Sequence, residues 1–392
     1  LKMPGLVKTF SRLLIAAAVS VAVAGCAAAA DASAVQEGNA PPKADYPAPG
    51  GTYYQSGRPE VTVARLMEML EFADRRVLRP EKEFRQEHVT TALLRLAILL
   101  SGADRIQGYE ASSFPAGETG WYRNTRLWKS KEAIPLFLLA AENGTLEPAS
   151  LGGLPRNTVF ALRVEWDPVV FFQALKFAPS HEKALGSFLQ GMTGMEPEAL
   201  AATARGCWEF VGVAVGNETV VRITLPDADG KFYDFLKTLL DTTEGDGPLP
   251  TVERSGKRTS YYSDREKKHV FSAPEKFQLG KTPSFQNAWK ALPRTRGAIL
   301  FWLDWDPGLL AGVQPSAAEG EFQDLRFWGL TLMRRVPEGL ISWSASRQDL
   351  NTETLHALFP LLIPALSEMS GRMAPASEEA SAAPETAEQN AA

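Results

Sequence analysis

An α+β fold is what this sequence predicts: duplicated units of antiparallel β-hairpins backed by helices, preceded by an N-terminal helical hairpin. Three observations lead there. A segment starting at Leu154-Pro155-Arg156, LPRNTVFALRVEWDPVVFFQAL, returns at Leu292 as LPRTRGAILFWLDWDPGLLAGV, with one extra residue ahead of Trp-Asp-Pro. A short pattern of apolar residue, any residue, Gly and apolar residue recurs at Ile106–Tyr109, Phe210–Val213 and Phe327–Leu330, each time opening a run that reads as a hairpin. Between these runs lie stretches with helical spacing of apolar residues, so hairpins and helices alternate along the chain. Self-similarity at spacings near a hundred residues points to duplicated domains, because a solenoid repeats every 20 to 50.

The elements follow in order. Val63, Leu66, Met67, Leu70 and Phe72 mark a helix over 61–78, and Pro80 opens a second helix that Gly102 closes as a C-cap. These two form the helical hairpin. A β-hairpin over 105–129, a helix over 133–142 and the strand 159–164 come next. The second unit holds the hairpin 210–225 around Gly216-Asn217-Glu218, a helix over 231–241, a hairpin over 259–272 with its turn at 264–267, a helix over 284–292 and the strand 298–303. The hairpin formed by 327–333 and 340–346 and a helix over 352–369 complete the pattern. Domain boundaries read from this order are 1–25, 26–58, 59–175 for the helical hairpin and first repeat unit, 176–373 for the second unit with its terminal hairpin and helix, and 374–392.

The first and last of these segments are distinguished by composition. Lys2, Lys8 and Arg12 precede the apolar run Leu13–Ala24, which ends in Val23-Ala24-Gly25-Cys26. A basic start, an apolar core of about 7–15 residues and small residues at a cut site make an export signal, and the core is too short for a permanent membrane span. The last four residues resemble the lipobox of the bacterial lipoprotein class. That resemblance implies cleavage between Gly25 and Cys26, and acylation of Cys26 with chains such as palmitate. It also implies a place on the cell envelope, and Ala27 after the cysteine favours the outer membrane. Two or more acyl chains give stable anchoring, at about 0.8 kcal/mol per buried methylene. Residues 26–58 then read as a flexible tether rich in Ala, Pro, Asp and Gly. The acidic stretch 374–392, with four Glu and no base, reads as a disordered tail.

Composition narrows the function classes. With Cys26 acylated, Cys207 has no disulfide partner, so the exported part relies on its core. Nine Trp, twenty Phe and 45% hydrophobic residues suit large cores, and a formal charge of −5 opposes a nucleic-acid role. The remaining partner classes are the membrane through the anchor, an envelope protein and an apolar ligand. The duplicated Trp-Asp-Pro invites a catalytic reading of Asp167 and Asp306, yet a strand running into Asp-Pro and then a helix places Asp at the N-cap and Pro at N1. His88, His181, His269 and His356 show no metal-ligand spacing. Ser180 to Lys183 matches S-x-x-K without its companion motifs, and Gly280-Lys281-Thr282 lacks the earlier glycine of a phosphate loop, where Glu275 stands. Cys207 beside Trp208 reads as a core thiol. No catalytic residue, cofactor or metal ligand is nominated; the expected site is the lipidated Cys26. The leading expectation is a non-catalytic binding or scaffolding module. The alternatives are a carrier of lipid or another apolar molecule, and an envelope hydrolase with a site assembled from distant residues.

Overall fold

The computed structural model describes residues 46–58, 102, 105–116, 120–131, 134–170, 202–216, 218–241, 249–305 and 327–350, with the helical positions 64, 68, 190 and 199. The signal, Cys26, the helix expected over 352–369, the acidic tail and nearly all of the helical hairpin expected over 61–100 lie outside them.

Eleven strands form one continuous antiparallel sheet. They are β1 (Tyr53–Gly57), β2 (Gly108–Pro115), β3 (Tyr122–Lys129), β4 (Thr158–Trp166), β5 (Gly206–Val215), β6 (Glu218–Pro226), β7 (Thr251–Ser255), β8 (Arg258–Tyr262), β9 (Ile299–Trp305), β10 (Phe327–Val336) and β11 (Gly339–Ser346). Their order across the sheet is β1-β2-β3-β11-β10-β9-β4-β5-β6-β8-β7. Three named helices accompany them among the described residues: α1 (Pro135–Leu138), α2 (Lys231–Asp241) and α3 (Pro283–Ala291).

This overturns the expected fold class. Separate α+β units backed by helices are replaced by a single sheet that runs through both expected units. The joints are β3 with β11, where Lys129 faces Gly339, and β9 with β4, where Leu162 faces Phe301. Pairings this distant leave no trace in local periodicity. Smaller corrections accompany this one. Tyr53–Gly57, read as tether, is the edge strand β1. The helix expected over 133–142 shrinks to α1. The hairpin expected over 259–272 is instead β7–β8, turning at Gly256-Lys257, and Lys268–Phe271 is a short 3-10 turn. The hairpin over 105–129 and the helices over 231–241 and 284–292 do form.

The repeated sequence segments fall on matching strands of the one sheet, which meet antiparallel at the β4–β9 joint. Leu162 and Phe301 occupy the same place ahead of Trp166 and Trp305, and they face each other across the β4–β9 joint. The two repeat copies therefore meet through like strands, as the halves of an isologous dimer do. Register extends the match outward. Ala161 faces Val211 as Leu300 faces Leu332, and Val211 faces Arg222 as Leu332 faces Trp343. Strands β4–β5–β6 and β9–β10–β11 are thus equivalent residue by residue. In this register Gly212 matches Met333, and Gly329 matches Trp208, so the glycine pattern aligned the copies one helical turn's worth of residues out of step. Strands β1–β2–β3 repeat the same order of strand, long connection and hairpin.

In β9, which reads as the nearly unbroken apolar run ILFWLDW, Leu300 and Trp302 are fully buried on one face, and Phe301 and Leu303 are half-buried on the other. On one face, Leu127, Val211, Leu300, Trp302, Leu332, Ile341 and Trp343 pack under α3 and the loops carrying Leu151, Leu154 and Leu279. Phe285 of α3 meets Trp302 edge-on, ring centroids 5.4 Å apart. Thr282 caps α3 by accepting the Phe285 amide, and Pro283 follows it, so Gly280-Lys281-Thr282 is a helix start. On the other face, Tyr109, Trp128, Ile299 and Leu340 pack with Ile134 and Phe137 of the α1 segment.

Candidate functional site

A cluster of charged side chains sits on the α3 face of the sheet. Arg163 on β4, Glu209 on β5 and Arg222 on β6 point the same way, and Glu209 sits between the two guanidinium groups. Arg163 Nε donates to Glu209 Oε2 at 2.6 Å, and Arg222 Nη2 donates to Oε1 at 2.7 Å. The glutamate side chain is 7% exposed. Burial pushes its carboxyl up, and the two arginines outweigh burial and hold it below its ordinary value. Arg222 also lies over the Phe271 ring at 5.0 Å, while its Nε is buried without an acceptor. This triad carries two positive charges against one negative. Because each carboxylate oxygen is taken by an arginine, its chemistry is that of a strut between β4, β5 and β6.

Cys207 lies beside the triad. Burial pushes its thiol up, more than Arg163 and Arg258 draw it down, so the sulfur stays protonated at neutral pH. Its Sγ contacts the Trp208 carbonyl at 3.7 Å. Trp208 turns to the opposite face, where it stacks edge-on against Trp166 at 5.4 Å and against Phe232 of α2. Cys207 is half-buried and packs at the margin of the α3-face core, where a buried core thiol was expected.

The other acids near the sheet have equally definite partners. Asp167 accepts the Val169 amide at 3.0 Å, the N-cap geometry expected from Trp-Asp-Pro, and pairs with Arg205 at 2.6 Å. Its counterpart Asp306 lies outside the described residues, as do Ser180, His88, His181 and His356. His269 is exposed, its Nδ1 3.0 Å from the Glu266 carbonyl. Asp227, fully buried, was missed by the sequence reading. It accepts the Phe232 and Tyr233 amides at the start of α2 and the Thr259 hydroxyl at 2.6 Å, tying α2 to β8. Asp-Ala-Asp-Gly ahead of an apolar helix was the available signal.

A polar seam joins β3 to β11 on the face opposite α3. Ser113 donates to Asn124 Oδ1 at 2.6 Å; Asn124 Nδ2 donates to Ser346 and to the Gln348 carbonyl; Arg126 donates to Ser344 at 3.0 Å. These buried side chains satisfy one another across the longest-range joint in the sheet, which specifies its register. A cleft of about 240 Å³ opens at the turn end of β10–β11, lined by Tyr46, Thr295, Val336, Pro337, Ile341 and Trp343 among others. Ligand pockets run about 300–1,000 Å³. Among the described residues no group of three or more His, Cys, Asp or Glu is placed to hold a metal ion, and no helix is long and apolar enough to cross a membrane.

No known protein family, curated protein or solved structure matches this chain.

Proposed function

We propose that the chain is a lipid-anchored, exported envelope protein whose sheet serves as a non-catalytic binding or scaffolding platform. The observation that carries the reading is the order of parts over residues 1–26: basic residues, an apolar core and Val-Ala-Gly-Cys. The structure adds support of a different kind. Glu209, Asp227 and Asp167 are each engaged in holding strands or helix starts, and the Cys207 thiol is held protonated, so these groups have structural work that accounts for their positions. The eleven strands form one continuous hydrogen-bonded platform, the extended surface a scaffold offers.

The test is acylation and retention. The wild-type chain should incorporate labelled palmitate and stay with membranes washed in molar salt, which strips purely electrostatic binding. Cys26→Ala should lose both. Label on the Cys26→Ala chain, or its retention after the salt wash, would sink the anchor.

A further inference from the structure

We infer that the outer surface of the α3 layer docks flat on an anionic phospholipid surface; this deepens the anchored reading above and rests on it. The layer covering the α3 face runs from Ser272 to Arg296, and that stretch carries Lys276, Lys281, Lys290, Arg294 and Arg296 against Glu275 alone, in a chain whose formal charge is −5. Two of its side chains break the usual rule for exposed positions. Phe277 is 39% exposed and Trp289 is 44% exposed, although α3 has a buried side, built from Phe285 and Ala288, that satisfies its need for a core contact. Trp289 is therefore left outside by the helix, beside Lys290.

The Phe277 ring is flanked by two cations. Arg156 and Lys276 each lie 4.9 Å from the centre of the Phe277 ring, so the ring and the charges form one amphipathic unit. Lys281 and Arg296 are paired with Glu275 and Glu147. Among the described residues Lys276, Lys290 and Arg294 make no salt bridge, which leaves their charge available to a partner. Amphipathic aromatics next to unpaired cations match the boundary between anionic headgroups and acyl chains, where Trp gains by half-burial and each Lys or Arg near the surface adds to binding.

The point where the tether enters the fold supplies an independent argument. Tyr46, the first described residue, packs against the core of the α3 face and shares the β10–β11 cleft with Thr295, which sits between Arg294 and Arg296. A chain anchored at Cys26 thus delivers its tether next to the cationic and aromatic surface. The anchor raises the local concentration of lipid, and the α3 layer is what meets it.

The experiment uses the full chain carrying Cys26→Ala, so that no acyl chain contributes. Its binding to vesicles of phosphatidylcholine and phosphatidylglycerol in equal parts is compared with binding to phosphatidylcholine alone, at low and at molar salt. Adding Lys290→Glu with Arg294→Glu should weaken binding to the anionic vesicles at least about tenfold, and Trp289→Ala should weaken it several-fold. Lys231→Glu, at the start of α2, whose Phe232 packs on Trp208 of the other face, should change it less than about twofold, the size of effect expected of a charge held away from the lipid. Reversal variants that bind within twofold of their parent, or that lose no more than Lys231→Glu does, overturn the proposal. Failure of palmitate labelling in the wild-type chain would instead count against the anchor, so the two readings fail separately.

Discussion

At the three positions where β4, β5 and β6 place Arg163, Glu209 and Arg222, the equivalent strands β9, β10 and β11 place Trp302, Leu330 and Trp343. The register makes the correspondence, since Arg163 faces Glu209 as Trp302 faces Leu330, and all six side chains lie on the α3 face. One copy closes its interior with a charge triad, the other with two indoles and a leucine. Burial differs accordingly. Trp302, Leu330 and Trp343 are at most 3% exposed, while the Arg163 and Arg222 side chains keep 24% and 17%. A second pair of positions shows the same freedom at the level of volume. Gly212 lies under the Phe160 ring, and its counterpart Met333 faces Ile299, so one copy combines large with none and the other medium with medium. The backbone pairing is common to both copies, and it accepts either filling provided each is complete.

The comparison can be broken most severely at Glu209. Glu209→Ala leaves two half-buried guanidinium groups facing each other without a counterion and should cost up to about 3–5 kcal/mol in urea unfolding. Converting the whole triad to apolar residues, Arg163→Met with Glu209→Leu and Arg222→Met, should cost far less than the single change, or raise stability by about 1–4 kcal/mol. A triple variant weaker than Glu209→Ala would show that the charges hold something the equivalent copy lacks.

Acid should separate the two fillings next. The Glu209 carboxyl titrates below its ordinary value in the folded chain and at that value when unfolded. Its contribution is therefore complete above the ordinary carboxylate range and is lost as pH falls through the folded value. Unfolding midpoints followed downward from about pH 5 should fall more steeply for the wild type than for the apolar triple, and equal slopes would remove Glu209 from the account.

Gly212→Ala drives a methyl group into the Phe160 ring and should cost about 1–3 kcal/mol. Adding Phe160→Ile, the residue used in the other copy, should recover part of that loss, and additive costs in the double mutant would argue that the two sites do not share one volume. The smallest effect belongs to the turns. Gly216 ends β5 at φ +62° with open space around its Cα, so Gly216→Ala should cost only about 1 kcal/mol of backbone strain.

Local chemistry made much of this legible in advance. Lys231–Asp241 follows from its apolar spacing, α3 from Thr282-Pro283, and the helix start at Asp167 from Asp-Pro, because caps and amphipathic faces are written within a few residues. The repeat was visible through Leu-Pro-Arg and Trp-Asp-Pro. Glycine does not align β5 with β10: Gly212 is a gap filled by the Phe160 ring, and its equivalent in β10 is Met333. The triad was not legible at all. Arg163, Glu209 and Arg222 are ordinary charges on three strands until pairing brings them together.

What the sequence by itself determined is therefore the short-range content: strand and helix segments, their caps, and the repeated Leu-Pro-Arg and Trp-Asp-Pro segments. The tertiary structure alone decided that these segments share one sheet, that the copies meet about the Leu162–Phe301 pair, and that unit boundaries vanish at the β3–β11 joint. The physical reason is range. Propensity and periodicity act over a turn of helix or a few strand residues, whereas the choice of sheet neighbour is made by side-chain contacts between residues more than a hundred apart, and those contacts exist only once the chain has closed on itself.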